Sequence, residues 1–131
     1  MLPEAQPISV EYDRRDSCVL ELRFSVVGLY IIVEVYPQAA SKSVHVEVFF
    51  PYHSGFQLLD EGDMPKWLGG PCYRTGHIIY EVTSDGWLSR TSAENGLSIA
   101  STTCREWLVV TANECVSIFS PATPSIRELS P

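Results

Sequence analysis

Three glutamates recur at an interval of thirteen residues, and carboxylates can bind a cation or a basic protein. Glu21, Glu34 and Glu47 each lie in an apolar, strand-like run. Strands that pair directly are about 4.8 Å apart, so side-by-side carboxylates could hold a metal ion or face a positively charged partner. Like charges directly opposite each other destabilise a sheet, and a row of residues that lowers stability is a place where function is expected. We call these three glutamates the acidic row and predict a binding role for them.

Two hairpins have to position the acidic row. Their turns are predicted at Val27–Gly28 and Ala40–Ser41, and alternate residues of each strand then separate into two faces. The core face carries Leu20, Leu22, Phe24, Ile31, Val33, Val35, Val46, Val48 and Phe50. The opposite face carries the acidic row between two others, namely Arg23 with Ile32 and Phe49, and Val19 with Tyr36 and His45.

Three interpretations of this opposite face stay open. It is the solvated side of an antiparallel sheet, a recognition surface for a basic partner, or a metal site. Ile32, Tyr36 and Phe49 add exposed apolar surface, which favours recognition. Gly28 could instead mark a bulge in one long strand, because Val27 suits a positive-φ turn poorly, and the row would then not form.

A second acidic group lies at Asp60, Glu61 and Asp63, before Trp67. It lacks the twelve-residue ligand order of an EF-hand loop, which disfavours a calcium site. A solvated acidic loop and a rim of the partner-binding surface are the two remaining interpretations.

Nucleophilic catalysis would require a thiolate with an adjacent base, and Cys72 with His53 or His77 is the candidate set. A pocket for a small ligand could be lined by Tyr30, Tyr80 or Trp87 near Cys72. The sequence contains no GxSxG, GxxxxGK[ST], GxGxxG or HExxH motif. We therefore expect a protein that is not an enzyme and that uses no cofactor and no metal.

Composition narrows the class of partner. The 131 residues include 9 Lys and Arg against 16 Asp and Glu, for a net charge of −7, which disfavours nucleic acid and anionic membrane. The N-terminus lacks the basic and apolar regions of a secretory signal, so the expected location is cytoplasmic. Cys18 and Cys115 lie in strand-like runs and are expected to be small core residues.

The predicted fold is mostly β, an antiparallel curved sheet, sandwich or half-barrel of about eight to ten strands with at most one or two short helices. We expect residues 1–131 to form a single globular domain, with residues 121–131 as a partly flexible tail. Period-two alternation predicts strands at Ile8–Asp13, Cys18–Val26, Leu29–Tyr36, Val44–Phe50, Phe56–Leu59, Gly76–Thr83, Gly86–Arg90, Arg105–Thr111, Cys115–Phe119 and Ser125–Glu128.

Two further turns set expected registers. Asp85–Gly86 suits a two-residue hairpin turn, which would place Glu81 opposite Arg90. A turn within residues 111–115 would put Leu108 and Val110 on the same face as Val116 and Ile118.

Three C-terminal segments, Gly86–Leu88, Arg105–Val110 and Glu114–Phe119, look like hairpins of small bacterial proteins. Together with the acidic composition, they resemble the immunity proteins of polymorphic and contact-dependent growth inhibition toxins. The resemblance implies a cytoplasmic protein that blocks one cognate toxin domain, often a nuclease.

A basic toxin domain would meet an acidic and aromatic surface. The expected contact residues are Glu21, Glu34, Glu47, Tyr36 and Phe49, with Asp60, Glu61 and Asp63 at the rim. A homodimeric adaptor that self-associates through sheet edges or exposed aromatics is a further alternative.

Overall fold

The computed structural model describes residues 4–8, 11–51, 55–60, 76–84, 86 and 104–129. Its strands are β1 (Glu4–Pro7), β2 (Tyr12–Ser25), β3 (Gly28–Pro37), β4 (Val44–Phe50), β5 (Gly55–Asp60), β6 (Ile79–Ser84), β7 (Arg105–Val110), β8 (Glu114–Ser120) and β9 (Ser125–Leu129). Every strand pairing is antiparallel, and these ranges contain no helix. The predicted all-β antiparallel architecture is confirmed.

The described strands form two sheets that pack face to face. Among them, five lie in the order β1-β6-β7-β8-β5, and four in the order β2-β3-β4-β9. One buried cluster draws on both sheets, as a sandwich requires. Its members include Leu29, Ile31, Val33, Val35, Val46, Val48 and Phe50 from the four-stranded sheet, and Ile79, Trp107, Val109, Val116 and Ile118 from the five-stranded sheet.

The four-stranded sheet buries one face. Along β3 the odd-numbered residues from Leu29 to Val35 are buried, while Tyr30, Ile32, Glu34 and Tyr36 are half-buried on the other side, which we call the outer face. This alternation confirms the predicted core positions of β3, and those of β4 are confirmed by the burial of Val46, Val48 and Phe50. The prediction is wrong for the burial of Leu20 and Phe24, which are exposed.

The five-stranded sheet buries both faces of its central strands. All residues of β7 after Arg105 are buried, and so are those of β8 after Glu114. Tyr80, Val82, Leu108, Val110 and Cys115 form a second cluster on the side away from the sandwich core. Val109 lies opposite Val116, and Leu108 opposite Ser117, so the predicted face for Leu108 and Val110 is wrong by one residue.

Strand β6 lies between β1 and β7, and both of its edges are therefore occupied. Gln6 and Trp107 are the cross-strand neighbours of Glu81. The predicted pairing of Glu81 with Arg90 is wrong, because no position beside Glu81 is left for it.

At the C-terminal end, β9 forms the edge strand beside β4, at the predicted position. The expected flexibility of residues 121–131 stays a prediction. Within the part of the chain that the structure describes, no helix is long and apolar enough to cross a lipid bilayer.

Candidate functional site

The first hairpin exists, which excludes a single long strand through Gly28. Its turn residues are Val26 and Val27, and Ser25 lies opposite Gly28. Gly28 itself takes the positive φ, at 144°, so neither valine needs that conformation. A Cβ on Gly28 would overlap the Phe50 carbonyl oxygen and lie 2.7 Å from the Phe49 ring. Only glycine fits this position.

The acidic row does not form, because both hairpins turn earlier than predicted. Glu21 lies opposite Ile32, and Ile32 lies opposite Glu47. Glu34 instead lies between Cys18 and His45. Each register differs from the predicted one by two residues, which moves partners along the strand but keeps them on the same face. Glu21 and Glu47 are thus two strand spacings, about 10 Å, apart.

The second hairpin shows where its shift originates. Ala39 adopts the left-handed conformation, with φ at 61°. The N–H of Ala40 donates to the carbonyl of Pro37 at 3.0 Å, which closes the turn before Ser41. Val35 therefore lies opposite Val44, and the strands meet in the shifted register.

A β-bulge at Leu20 changes the faces of the earlier part of β2. Glu21 pairs with Ile32 and Val19 with Val33, so Leu20 is the extra residue. Val19 consequently packs against the core instead of lying on the outer face. Cys18 lies opposite Glu34 and is only partly buried, which corrects its predicted core position, whereas Cys115 is buried as expected.

Each glutamate of the predicted row has its own partner. Glu21 forms an exposed ion pair with Arg23 at 3.3 Å. Glu34 Oε2 accepts a hydrogen bond from Ser43 Oγ at 3.2 Å and lies 3.4 Å from His45 Nε2. The carboxylates of the outer face therefore lie beside Arg23, Ser43 and His45, and they do not form a uniformly negative strip.

Glu47 differs from the other two because it is nearly covered. Its side chain is only 11% exposed, and Arg127 Nη2 lies 3.2 Å from its Oε2. Arg127 Nε also donates to Oε1 at 3.4 Å, which makes the contact two-pronged and joins β9 to β4. A carboxylate held in this way stabilises the sheet edge and offers little surface to a partner.

An aromatic cluster occupies the end of the outer face next to the first turn. The rings of Tyr30 and Phe49 lie 4.5 Å apart, and the Arg23 guanidinium lies 4.6 Å from the centre of the Tyr30 ring. Arg23 and Tyr30 are direct cross-strand partners, as are Tyr30 and Phe49. We call Arg23, Tyr30 and Phe49 the aromatic cluster.

The other predicted partner-binding residues are only partly described. Tyr36 lies half-buried on the outer face, opposite Asp13. Asp60 ends β5, where its backbone lies opposite Glu114. Glu61 and Asp63 lie outside the described residues.

Two of the residues predicted to line the alternative ligand pocket lie far from each other in the fold. Tyr30 lies on the outer face of the four-stranded sheet, whereas Tyr80 is buried in the second cluster of the five-stranded sheet. The two tyrosines therefore do not converge. His53, Cys72 and Trp87 lie outside the described residues, and His77 contacts the Tyr80 ring edge-on at 6.5 Å.

A polar contact joins β2 to the β7–β8 turn. The N–H of Val19, next to the bulge, donates to Glu114 Oε2 at 2.9 Å. Ser17 Oγ accepts from the N–H of Ala112 at 2.8 Å. Burial, followed by the negative charges of Glu34 and Glu114, raises the pKa of the Cys18 thiol. That thiol is consequently a poor nucleophile at neutral pH.

The ion pair between Arg105 and Glu81 lies beside Trp107, a residue of the sandwich core. Arg105 Nε and Nη2 donate to the two carboxylate oxygens of Glu81 at 2.7 and 2.9 Å, and the guanidinium lies 4.6 Å from the Trp107 ring centre. The hydrogen bond from Arg105 is the main cause that holds the pKa of Glu81 below its ordinary value. This geometry is structural, because it leaves no carboxylate oxygen without a donor.

Among the described residues, no three His, Cys, Asp or Glu side chains come together in a way that could hold a metal ion. The metal interpretation of the acidic row therefore has no geometric support. Compared with models of protein families, with curated proteins and with solved structures, the chain shows no significant match.

The sequence does not predict the aromatic cluster as a unit, because its pattern places Tyr30 in a pocket instead. Two sequence signals point to the cluster, namely Arg23 beside Glu21 and Tyr30 at the start of the next strand. Whether Arg23 and Tyr30 meet depends on the register of the two strands.

Proposed function

We propose that this protein binds and neutralises a basic, nuclease-type toxin domain in the cytoplasm, as an immunity protein without enzymatic activity. The outer face of the four-stranded sheet is the contact surface. One observation carries the proposal: partly exposed aromatic and aliphatic side chains lie among carboxylates on a hydrogen-bonded sheet.

The composition of the outer face suits protein recognition. Aromatic residues and arginine are enriched at interface centres, where they supply most of the binding energy. The aromatic cluster combines both, and Ile32 lies half-buried in the next row. Because paired strands hold these side chains, little conformational entropy is lost on binding.

The carboxylates of this face can exchange partners. Glu21 forms an exposed ion pair with Arg23, and Glu34 lies 3.4 Å from His45 Nε2 on the half-exposed surface. Surface ion pairs contribute only about 0–1 kcal/mol. An arginine or lysine of a toxin domain can replace these partners at small cost. Glu47 is excluded from the contact surface, because Arg127 already covers it.

The net charge supports the choice of partner. A charge of −7 attracts a domain whose basic surface serves to bind phosphates, and it repels nucleic acid itself. Opposite charges also accelerate the encounter, and rapid capture is what protection from a toxin requires.

The test uses the variable C-terminal domain of a large secreted protein encoded by a neighbouring reading frame. We expect this domain to co-purify with the chain, and we expect cells that express both to grow while cells that express the domain alone do not. Absence of both binding and protection, with a domain shown to be toxic, would rule out the immunity function.

The contact surface is tested separately by calorimetric titration. Tyr30→Ala should weaken the affinity at least about 30-fold, as loss of a central aromatic does. Glu34→Lys should weaken it about tenfold and flatten its salt dependence. Leu58→Ala is the matched control, since Leu58 is exposed on the five-stranded sheet and should bind normally. Folded Tyr30 and Glu34 variants with unchanged affinity would remove the outer face from the interface.

A further inference from the structure

The turn between β2 and β3 carries two exposed apolar residues, Val26 and Val27, which we call the hairpin tip. Val26 is fully exposed, and Val27 is 59% exposed. Two-residue hairpin turns usually carry glycine, asparagine or aspartate, whereas the β-branched side chain of valine is suited to strands. The residue types of the hairpin tip are therefore not those that a turn favours.

The residues on either side of the hairpin tip build the turn. Gly28 takes the positive φ, and Ser25 Oγ accepts a hydrogen bond from the N–H of Val27 at 3.3 Å. Neither feature uses a valine side chain, so polar residues at positions 26 and 27 would preserve both. The stability of the turn consequently does not explain why both positions are apolar.

The hairpin tip is continuous with the aromatic cluster. The backbone of Gly28 lies against Phe49, since a Cβ on Gly28 would be 2.7 Å from that ring. Tyr30 follows two residues later on β3, and its ring lies 4.5 Å from that of Phe49. The valines thus extend the apolar surface of the cluster beyond the end of the sheet. Apolar residues that join into one surface mark interaction sites, whereas scattered ones are ordinary.

Paired strands hold the hairpin tip in place. Ser25 lies opposite Gly28, and Arg23 lies opposite Tyr30 behind them. A protrusion that is ordered before binding loses little conformational entropy when it enters a partner. Its convex apolar shape is complementary to a concave apolar pocket.

Charge distinguishes among the occupants that could cover the hairpin tip. Anionic membranes attract clustered lysine and arginine, whereas this chain has a net charge of −7, and Arg23 is paired with Glu21. A second copy carries the same net charge and the same convex tip. A basic protein domain is attracted by the chain as a whole.

We propose that the hairpin tip inserts into an apolar pocket of the basic toxin domain that the outer face contacts. This inference rests on the proposed function and adds to it the anchor, Val26 and Val27, and the chemistry of the pocket that receives them. The aromatic cluster, which adjoins the tip, then lies against the rim of that pocket.

Calorimetric titration of the full chain with the toxic C-terminal domain tests the anchor. Val26→Asp and Val27→Asp should each weaken the affinity at least about tenfold, because a carboxylate loses its water in an apolar pocket. The added negative charge alone would instead strengthen binding to a basic domain. The urea midpoint should stay constant or rise, since aspartate is a common turn residue. Val26→Ile/Val27→Ile keeps the tip apolar and should retain the affinity.

Ala39→Asp is the matched control. Ala39 is exposed in the turn at the opposite end of β3, and aspartate tolerates its left-handed conformation. This variant adds the same charge away from the hairpin tip and should bind at least as tightly as the wild type.

The outcomes separate the anchor from the proposed function. Wild-type binding with unchanged affinity in both valine-to-aspartate variants would overturn the anchor and leave the immunity function intact, whereas a wild-type chain that does not bind the domain would overturn both. Two further results would assign the tip to another occupant and also overturn the proposal. One is wild-type binding to phosphatidylcholine vesicles that the aspartate variants lose, and the other is a wild-type dimer that they dissociate in sedimentation.

Discussion

The two sheets of this protein bury their strands in different ways, and the difference separates structure from recognition. The central strands of the five-stranded sheet are buried on both faces and carry Trp107 and two apolar clusters. The four-stranded sheet buries one face and leaves Tyr30, Ile32 and Glu34 partly accessible. The buried faces of the five-stranded sheet contribute stability, whereas the half-covered sheet also presents a face that can bind a partner.

The largest expected loss of stability comes from removing a buried side chain at the centre of the five-stranded sheet, which we call the covered sheet; the four-stranded sheet is the accessible sheet. Trp107→Ala should lower the free energy of unfolding by about 3–5 kcal/mol, because it leaves a large cavity and removes the bond from the indole N–H to the Ser120 carbonyl. Tyr30→Ala, on the accessible sheet, should cost about 1 kcal/mol. Urea unfolding of both variants measures the contrast, and equal losses would contradict it.

A smaller loss is expected at the turn that sets the accessible sheet's register. Gly28→Ala should cost about 2–3 kcal/mol, since φ is positive there and a Cβ would overlap Phe50. Gly55→Ala is the matched control, because among the described residues its Cβ would meet only the Phe119 ring, at 3.6 Å. If both variants unfold at the same urea concentration, the close approach at Gly28 is not essential.

The hydrogen bond between Val19 of one sheet and Glu114 of the other should contribute less to stability than the buried apolar side chains do. Glu114→Ala removes the carboxylate that accepts from the Val19 N–H and, together with the Glu114 carbonyl, from the Thr111 hydroxyl, and should cost about 1–2 kcal/mol. The Val19 amide should also lose protection from hydrogen exchange. Glu128→Ala, on the exposed edge strand β9, serves as the control and should change stability by less than about 0.5 kcal/mol. Unchanged protection of Val19 would show that the bond to Glu114 is dispensable.

The smallest expected effect concerns ion pairs on the two sheets. Glu81→Gln should cost about 1 kcal/mol at neutral pH, because Arg105 binds both carboxylate oxygens. Glu21→Gln should cost less, since its pair with Arg23 is exposed and has one contact at 3.3 Å.

The pH dependence of this difference has a defined sign. The pKa of Glu81 is lower in the folded state, so its contribution is fully present above the unfolded value of about 4.3 and disappears as pH falls through the folded pKa. Urea unfolding at about pH 7 and about pH 3 should therefore show a Glu81→Gln effect that shrinks on acidification. An effect of constant size would mean that packing, and not charge, is responsible.

Local pattern predicted much of the accessible sheet. Val44–Phe50 is β4 as predicted, and alternation along β3 predicts which side is buried. Such alternation reports directly on a sheet with one covered face. The predicted registers were wrong by two residues, because the positive φ angles of Gly28 and Ala39 place each turn one residue earlier. The bulge at Leu20 also exchanges the two faces of the β2 residues that precede it.

The covered sheet was harder to predict. Strands β7 and β8 are apolar on both sides, so period two carries no information about which residues face the sandwich core. The predicted face of Leu108 failed for this reason. The Asp85–Gly86 turn signal likewise could not reveal that β1 and β7 occupy both edges of β6, because strand order depends on contacts between distant parts of the chain.

Residue types and their spacing along single strands are enough to predict the β architecture, the negative charge and the buried side of β3 and β4. The separate partners of Glu21, Glu34 and Glu47, and the meeting of Arg23, Tyr30 and Phe49, depend on contacts between strands and could not be predicted. Which residues lie side by side depends on register, and a turn displaced by one residue moves every cross-strand partner by two.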